Sequence, residues 1–226
     1  MKDYREKELK YLLLLFIFLF LIWCTPTLET LVDEERNSYE IVVSGLECVL
    51  ISGAVSLASF LLDCVVSSSV KDKLVGLFFI PRSGETIFSR INKNLVSDNC
   101  FLVEVAKEYY APIIEDLPHD KKKRRQHENA KWYSIYQVYQ EKGQVKQSQR
   151  DYLLCRDIFY NTIEFLMLYI ISLFLFKGTI HYSSKFILVL LTIAIISNTS
   201  THTKMNRFVN TVIAVDIANK NHIESR

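Results

Sequence analysis

Residues 39–70 read YEIVVSGLECVLISGAVSLASFLLDCVVSSSV, and from residue 41 onward this stretch is apolar and long enough to cross a bilayer, which takes about 20 residues of helix. Small and polar residues recur in it at spacings of 3, 4, 4, 3, 4 and 4: Gly45, Cys48, Ser52, Ser56, Ser59, Asp63 and Ser67. On a helix these positions form one stripe roughly 100° wide. Because lipid satisfies no polar group, the stripe must face protein or water. The pattern predicts either a central packing helix of a membrane assembly or the wall of a pore.

Three further apolar segments predict membrane helices. Residues 11–32 begin with YLLLLFIFLFLIWC after a charged N-terminus and continue into Cys-Thr-Pro-Thr. A charged start and a short apolar run also describe a signal peptide. We favour an uncleaved first helix because no small-residue cleavage site follows. Residues 158–176 and 186–203 form the third and fourth segments, and residues 177–185 connect them tightly.

Basic residues predict the orientation of these four helices. Sixteen Lys and Arg lie between residues 71 and 160, four in the first ten residues and four in the tail from residue 204. The segment 29–40 has one and the segment 177–185 has two. Since basic residues collect on the cytoplasmic side, both termini and the central region are expected in the cytoplasm. The predicted location is the bacterial inner membrane.

The expected fold class is therefore an all-α membrane protein with four transmembrane helices and a helical cytoplasmic domain inserted between helices 2 and 3. The boundaries are 11–32 and 41–70 for the first two helices, 71–157 for the inserted domain, 158–176 and 186–203 for the last two helices, and 204–226 for a cytoplasmic amphipathic tail.

Periodicity also predicts elements of the inserted domain and the tail. Residues 101–117 form one amphipathic helix, capped by Ser97 or Asp98 and kinked or ended by Pro112. Residues 144–176 read as one long helix that enters the membrane near residue 158, with Asn161 and Glu164 in its first membrane turns. In the tail, an apolar face including Phe208 and Val212 is expected to dock on the soluble domain, opposite a polar face that includes Asn210 and Asp216.

Several residues are candidates for contact with a trigger, an anionic ligand or lipid. Arg82 lies in the turn Pro-Arg-Ser-Gly, whose backbone N–H groups could meet a phosphate. The basic run follows it in the chain: Lys121, Lys122, Lys123, Arg124 and Arg125. Trp132 and several tyrosines come next. Basic residues beside aromatics suit a nucleic acid or nucleotide or an anionic leaflet. The alternative is a solvated helix start with Trp132 packed inward.

The chain shows no motif of catalysis or metal binding. It lacks G-x-S-x-G, H-E-x-x-H, a P-loop and G-x-G-x-x-G. Five cysteines include no C-x-x-C pair, and five histidines have no metal-ligand spacing. A net charge of +2 by itself indicates neither nucleic acid nor anionic lipid as a partner. We therefore expect no enzyme activity, no cofactor and no metal.

Two stretches resemble a known class of proteins. Residues 77–94, LFFIPRSGETIFSRINKN, and residues 132–157, WYSIYQVYQEKGQVKQSQRDYLLCRD, are similar to parts of small four-helix bacterial membrane proteins. Some of these resemble transmembrane effectors of anti-phage defence systems of the retron or cyclic-nucleotide-signalling type. The resemblance implies a protein that stays inactive until infection and then permeabilises the inner membrane. It implies no catalytic residue.

Three functions follow as hypotheses. The first is a homo-oligomeric, pore-forming effector whose stripe faces water and whose cytoplasmic domain receives a trigger from a defence-system protein, a nucleic acid or a nucleotide. The second is a non-conducting membrane adaptor that anchors a cytoplasmic partner, with the stripe packing helices as small residues do. The third is a small transporter, which the absence of repeats and broken helices disfavours.

Overall fold

A computed structural model describes residues 65–76, 81–96, 100–175 and 183–224, with short pieces at 14–15, 17–19, 42–43 and 61–62. These residues are helical or in turns, and no strand occurs among them. The helices are α1 (Ser68–Val75), α2 (Ile87–Asn92), α3 (Val103–Tyr109), α4 (Ala111–Glu115), α5 (Lys121–Tyr139), α6 (Gly143–Leu175) and α7 (Ser184–Glu224), with a 3₁₀ turn at Ser83–Glu85. The all-α prediction is confirmed for this part of the chain.

The chain divides into two compact units. Unit 1 comprises Met1–Lys71 and Arg156–Asn198, and unit 2 comprises Asp72–Cys155 and Thr199–Arg226. Both long helices, α6 and α7, contain residues of each unit. The predicted boundary at residue 157 therefore falls close to the observed division at Arg156, inside a continuous helix.

Unit 1 is built around an antiparallel pair formed by the second half of α6 and the first half of α7. The rings of Tyr169 and Phe186 meet edge to face with centroids 4.9 Å apart. The Tyr169 hydroxyl accepts a hydrogen bond from the Ser183 backbone N–H at 2.8 Å, just before α7 begins. Leu19, Phe165 and Leu190 complete this buried cluster. The third and fourth predicted segments thus pack against each other.

In the part of the chain that the structure describes, fewer candidate membrane-spanning helices are found than the four predicted. Among the described residues, one helix, Ser184–Lys220, is long and apolar enough to cross a membrane by length and composition. Only 28 % of its apolar window is buried. The predicted helices 11–32 and 41–70 lie largely outside the described residues. Segment 158–176 is helical as far as Leu175, within α6.

Unit 2 has its own core, in which α5 and α7 meet through aromatic rings. Phe208 lies edge-on to Trp132 at 5.5 Å and to Tyr136 at 5.5 Å, and parallel to Tyr152 at 6.2 Å. The buried residues of α2 join the same core: Ile87, Phe88 and Ile91. This aromatic cluster uses the inward-facing apolar positions of α5 and of the tail.

Local predictions have mixed outcomes. The segment 101–117, predicted as one helix that Pro112 kinks or ends, forms two helices separated at Tyr110. The predicted interruption is confirmed, because Pro112 in the first turn of α4 has no backbone N–H to donate to a preceding turn. Leu102 is the N-cap of α3 and makes no side-chain cap. The predicted caps, Ser97 and Asp98, lie outside the described residues. The segment 186–203 and the tail form one uninterrupted helix.

The predicted polar face of the tail is also wrong at two positions. Asn210 and Asp216 are both buried. In unit 2 the buried surface of α7 is wider than its apolar face. Part of the polar face of α7 is therefore buried as well. Asp216 is stabilised there by polar partners described below.

Candidate functional site

A line of polar side chains lies on α6 inside unit 1. Asp157, Asn161 and Glu164 are spaced by four and three residues, which places them on one face of the helix within roughly 60°. Asn161 is 2 % exposed and Glu164 is 9 % exposed. We refer to these three residues as the α6 seam. The burial of Asn161 and Glu164 contrasts with the exposed apolar side chains on the next face of α6, among them Ile170 and Ile171.

Basic side chains surround the Asp157 end of the seam. The Arg156 guanidinium donates to Asp157 Oδ1 from Nη2 at 2.9 Å and from Nε at 3.0 Å. Lys71 Nζ lies 3.9 Å from the same oxygen and 4.9 Å from the ring centroid of Tyr160. Both cations are themselves buried. The charge of Asp157 is therefore compensated locally.

The other polar groups of unit 1 fall into two kinds. The hydroxyls of Thr162 and Ser197 donate to backbone carbonyls one turn earlier, at 2.8 and 2.7 Å, and are satisfied within their own helices. The side-chain oxygens Oδ1 of Asn161 and Asn198 are buried and accept no hydrogen bond from any residue that the structure describes. Counting back from the Tyr169–Phe186 contact along antiparallel helices places Asn198 level with residue 157. The two asparagines thus lie about one helical turn apart along the helix axis.

Unit 2 contains a second buried polar group, which we name the Glu128 node: Ser83, Ser89, Arg90, Glu128 and Asn206. Glu128 is 1 % exposed. Its Oε2 accepts from the Ser89 backbone N–H at 3.0 Å, and its Oε1 accepts from the Ser89 hydroxyl. Because Ser89 is in the first turn of α2, where backbone donors have no partner in the helix, Glu128 caps α2 from a neighbouring helix.

Arg90 connects the node to α7. Its Nη1 donates to Asn206 Oδ1 at 2.9 Å, and the Ser83 hydroxyl donates to the same oxygen at 2.6 Å. Nη2 donates to the Ser83 carbonyl at 3.3 Å. Burial lowers the pKa of the Arg90 guanidinium, and the nearby Glu128 carboxylate offsets part of that shift. The node therefore joins the 3₁₀ turn, α2, α5 and α7 through charges that compensate one another.

Gly84 in the 3₁₀ turn packs directly on Trp132. A Cβ atom at Gly84 would lie 3.0 Å from Trp132 Cε3, 3.2 Å from Cδ2 and 3.3 Å from Asn129 Oδ1. The indole has little room to move because the ring of Tyr136 stacks on it at 5.6 Å and Phe208 meets it edge-on. The turn is thus anchored by close packing as well as by the node.

We expect Gly84→Ala to lower the free energy of unfolding of unit 2 by about 1–3 kcal/mol, the usual effect of overpacking. The measurement is urea unfolding of the detergent-solubilised full chain, followed by Trp132 fluorescence in a Trp23→Phe background. Gly143→Ala is the matched control, since a Cβ at Gly143 would meet no atom within 4 Å. Equal stability of the Gly84 and Gly143 variants would contradict this packing.

A third polar cluster in unit 2 is centred on Asp216. The Tyr110 hydroxyl donates to Asp216 Oδ2, and Lys220 Nζ lies 3.0 Å from the same oxygen. Lys220 also lies 4.9 Å from the ring centroid of Tyr110. Burial first, and then the hydrogen bond to the Asp216 carboxylate, raise the pKa of Tyr110 above its ordinary value of 10.0. The folded protein therefore favours protonated Tyr110.

This shift predicts a pH dependence. The stabilising contribution of Tyr110 is complete below the unfolded-state pKa near 10 and is lost as the pH rises towards the higher folded-state pKa. Above pH 10, we expect the wild type to lose up to about 1.4 kcal/mol per pH unit more than Tyr110→Phe. Urea unfolding at a series of pH values from 8 to about 11 measures the two slopes. Parallel slopes above pH 10 would contradict the assignment.

The predicted contact residues occupy different environments. Arg82 pairs with Asp72 at 3.7 Å and with Glu85 at 3.9 Å. Trp132 is buried in the aromatic core, as the alternative of inward packing predicts. The indole ring is buried, so it does not form a common binding surface with the basic run.

The basic run itself forms the first turns of α5. Lys121, Lys122 and Lys123 are exposed, and no acidic residue lies in the first turn. Asp120 Oδ1 caps the helix by accepting from the Lys123 backbone N–H at 2.8 Å. Arg124 donates to the carbonyls of Pro118 and His119 at 2.8 and 2.9 Å. The surface is positive, and the helix N-terminus adds to that potential.

Of the predicted stripe, Ser67 alone belongs to the described residues. It is exposed, and the backbone bends at Val66 before α1 begins at Ser68. The Ser67 carbonyl accepts from Val70 N–H at 2.9 Å. The other stripe residues lie outside the described part of the chain: Gly45, Cys48, Ser52, Ser56, Ser59 and Asp63.

Sequence reasoning missed the Glu128 node, although one signal was present. Glu128 precedes Trp132, Ile135 and Tyr139 by four, seven and eleven residues, so it shares the apolar face of α5. An acidic residue at such a position indicates a buried partner. Its partner Ser89 is 39 residues away in the chain, and no periodic pattern identifies it.

Comparisons with known proteins add no relative. No family model matches the chain, and neither a curated protein nor a solved structure matches it. Among the residues that the structure describes, no group of three or more His, Cys, Asp or Glu side chains is placed to hold a metal ion. A function for this chain is therefore inferred from the polar and apolar surfaces of its two units.

Proposed function

We propose that the protein is a membrane effector that oligomerises and permeabilises or depolarises the bacterial inner membrane when activated. The observation that carries this proposal is the reversed polarity of unit 1. Charged and amide side chains such as Arg156, Asn161 and Glu164 are buried there, whereas large apolar side chains are exposed. A water-soluble unit of this size normally has the opposite distribution.

The exposed apolar residues cover neighbouring turns of both long helices. On α6 they are Met167, Ile170, Ile171 and Phe174, and on α7 they are Leu188, Leu191, Ile195 and Ile196. Removing one such side chain from water is favourable by about 1.5–3 kcal/mol. Apolar surface of this extent marks a membrane or protein interface. Acyl chains are the covering that also fits the length and composition of α7.

Permeabilisation is supported by the polar residues inside the same unit. Ionisable groups within a membrane unit are energetically expensive and are concentrated on ion or proton pathways. The α6 seam supplies such groups, and the stripe of residues 45–67 supplies a second polar face in the sequence. The defence role rests on the resemblance of residues 77–94 and 132–157 to membrane effectors.

The cytoplasmic part of the proposal assigns signal reception to unit 2. The exposed lysines at the start of α5 form a positive surface that suits an anionic trigger or an anionic leaflet. Trp132 has no part in this contact because its ring is in the core.

The second candidate is a non-conducting adaptor. The core of unit 2 favours it, because a helical unit with a core of its own can dock a cytoplasmic partner without any ion flow. In that case the seam and the stripe pack helices against one another.

Membrane potential in cells with induced expression separates the two candidates. The wild type is compared with Asp63→Asn combined with Ser56→Leu, under phage challenge in the native gene context because the trigger is unidentified. We expect the wild type to depolarise the membrane and the variant, at equal membrane abundance, to lose that activity. An unchanged potential in every condition would eliminate the effector and leave the adaptor.

A further inference from the structure

The part of α7 that lies in unit 2 contains a buried amide that forms no hydrogen bond with the described residues. Asn210 is 0 % exposed, and neither its Nδ2 nor its Oδ1 has a partner among the residues that the structure describes. An unpaired polar group in a core disfavours the folded state, whereas an apolar side chain of similar shape at the same place favours it. Asn210 therefore weakens the packing of α7 in the core of unit 2.

Asn206 has the same side chain one turn earlier on the same face of α7, but its oxygen is paired. Asn206 Oδ1 accepts from Arg90 Nη1 at 2.9 Å and from the Ser83 hydroxyl at 2.6 Å. Asn206 thus joins α7 to the Glu128 node, while Asn210 weakens the packing beside it. The two asparagines separate the effect of the residue type from the effect of its hydrogen bonds.

This part of α7 depends on packing for its helical structure. Of the ten residues 208–217, six are β-branched: Val209, Thr211, Val212, Ile213, Val215 and Ile217. β-Branched residues lose rotamers in a helix, and asparagine competes for backbone hydrogen bonds, so both have low helix propensity. Burial in the core of unit 2 must therefore stabilise the helix here. Segments of low local stability are the ones that open first and that move in switches.

We propose that the packing of residues 204–224 of α7 in the core of unit 2 is an autoinhibitory contact, which the unpaired amide of Asn210 keeps easy to open. The inference rests on the proposed function and names the element that moves. A trigger shifts such an equilibrium only by its differential affinity for the two states, so a small free energy of opening lets a modest difference suffice. Because α7 also carries the exposed Leu188, Leu191 and Ile195 of unit 1, opening releases one end of a helix whose other end is apolar.

The first test compares Asn210→Leu with Asn206→Leu, the same change of similar volume one turn apart. Urea unfolding of the full chain in detergent is followed by Trp132 fluorescence in a Trp23→Phe background. We expect Asn210→Leu to raise the urea midpoint of unit 2 by about 0.5–1 M, because an unpaired amide is lost. Asn206→Leu is expected to lower the midpoint, because Arg90 and Ser83 lose their acceptor. An unchanged or lowered midpoint in Asn210→Leu overturns the proposal, since the amide is then paired with water in the folded protein.

Hydrogen exchange of the wild type in lipid nanodiscs tests the opening itself and needs no variant. We expect the backbone amides of residues 205–217 to exchange at least tenfold faster than those of residues 128–139 of α5, because residues 204–224 open without unfolding of the whole unit. Equal exchange rates in the two segments overturn the proposal.

Depolarisation under phage challenge then separates this inference from the proposed function. At equal membrane abundance, we expect Asn210→Leu to lower the fraction of depolarised cells by about tenfold, because the closed state is favoured. Depolarisation in the wild type with an unaltered fraction in Asn210→Leu overturns the autoinhibitory contact and leaves the effector intact. Absence of depolarisation in the wild type under every condition overturns both.

Discussion

Replacing Glu128 with alanine is expected to lower the free energy of unfolding of unit 2 by about 3–5 kcal/mol, the range for breaking a buried charged pair on one side. The carboxylate accepts both the backbone N–H and the hydroxyl of Ser89. Its removal leaves the first turn of α2 without its cap and Arg90 without the carboxylate that offsets its burial. Urea unfolding of the full chain in detergent, read by Trp132 fluorescence in a Trp23→Phe background, measures the loss.

Two substitutions make this result specific. Glu128→Gln keeps one acceptor for the Ser89 backbone N–H, so we expect a smaller loss of about 1–2 kcal/mol. Glu141→Ala is the matched control, because Glu141 is exposed and pairs only with Lys146 in the described contacts. Such surface pairs contribute little, at most about 1 kcal/mol. A loss in Glu128→Ala no larger than in Glu141→Ala would show that the node does not stabilise unit 2.

Phe208→Ala is expected to have a comparable effect, about 3–5 kcal/mol, because it opens a cavity in the aromatic core. Phe208 contacts the rings of Trp132, Tyr136 and Tyr152. The substitution therefore removes the ring contacts that join α7 to both α5 and α6 within unit 2. The same fluorescence experiment measures the change, and the emission of Trp132 should shift to longer wavelength as water reaches the indole.

Phe208→Leu provides the comparison for this cavity. It retains most of the apolar volume, and we expect it to be about 1–2 kcal/mol less stable than the wild type. If the alanine and leucine variants unfold at the same urea concentration as the wild type, the tail does not pack in the core of unit 2 as described.

Long periodic elements were predictable from the sequence, and contacts between distant residues were not. The continuous helix over residues 144–176 was predicted to within one residue of Gly143–Leu175, because its apolar pattern persists without a breaker. The segment 101–117 was predicted as one helix with a kink or an end at Pro112, and it forms two helices separated at Tyr110. Helix termini of this kind depend on single residues rather than on periodicity.

Buried polar residues were the main error at the candidate sites. Asn210 and Asp216 were placed by helical periodicity on a polar face opposite the apolar face of the tail, but both are buried, and Asp216 contacts Tyr110 and Lys220. Asn161 and Glu164 were identified from the sequence, because a polar residue within an apolar segment can be seen without a structure. Tyr110 lies 106 residues from Asp216 in the chain, so only the fold identifies it as a partner that stabilises the buried carboxylate.

Cysteine accessibility in intact membranes tests whether the apolar exterior of unit 1 lies in lipid. Ile195 on α7 and Val138 on α5 have nearly equal exposed fractions, 67 % and 72 %. Each is replaced by cysteine in a chain whose native cysteines, at positions 24, 48, 64, 100 and 155, are changed to serine. The reagent is a membrane-impermeant maleimide, applied to inside-out vesicles.

Because maleimide reacts with the thiolate, which does not form in hydrocarbon, we expect labelling of Val138→Cys and protection of Ile195→Cys until the membrane is dissolved and the chain is denatured in dodecyl sulfate. A water-soluble unit 1 predicts similar labelling of the two variants. Rapid labelling of Ile195→Cys in intact vesicles, at the rate of Val138→Cys, would contradict the membrane account.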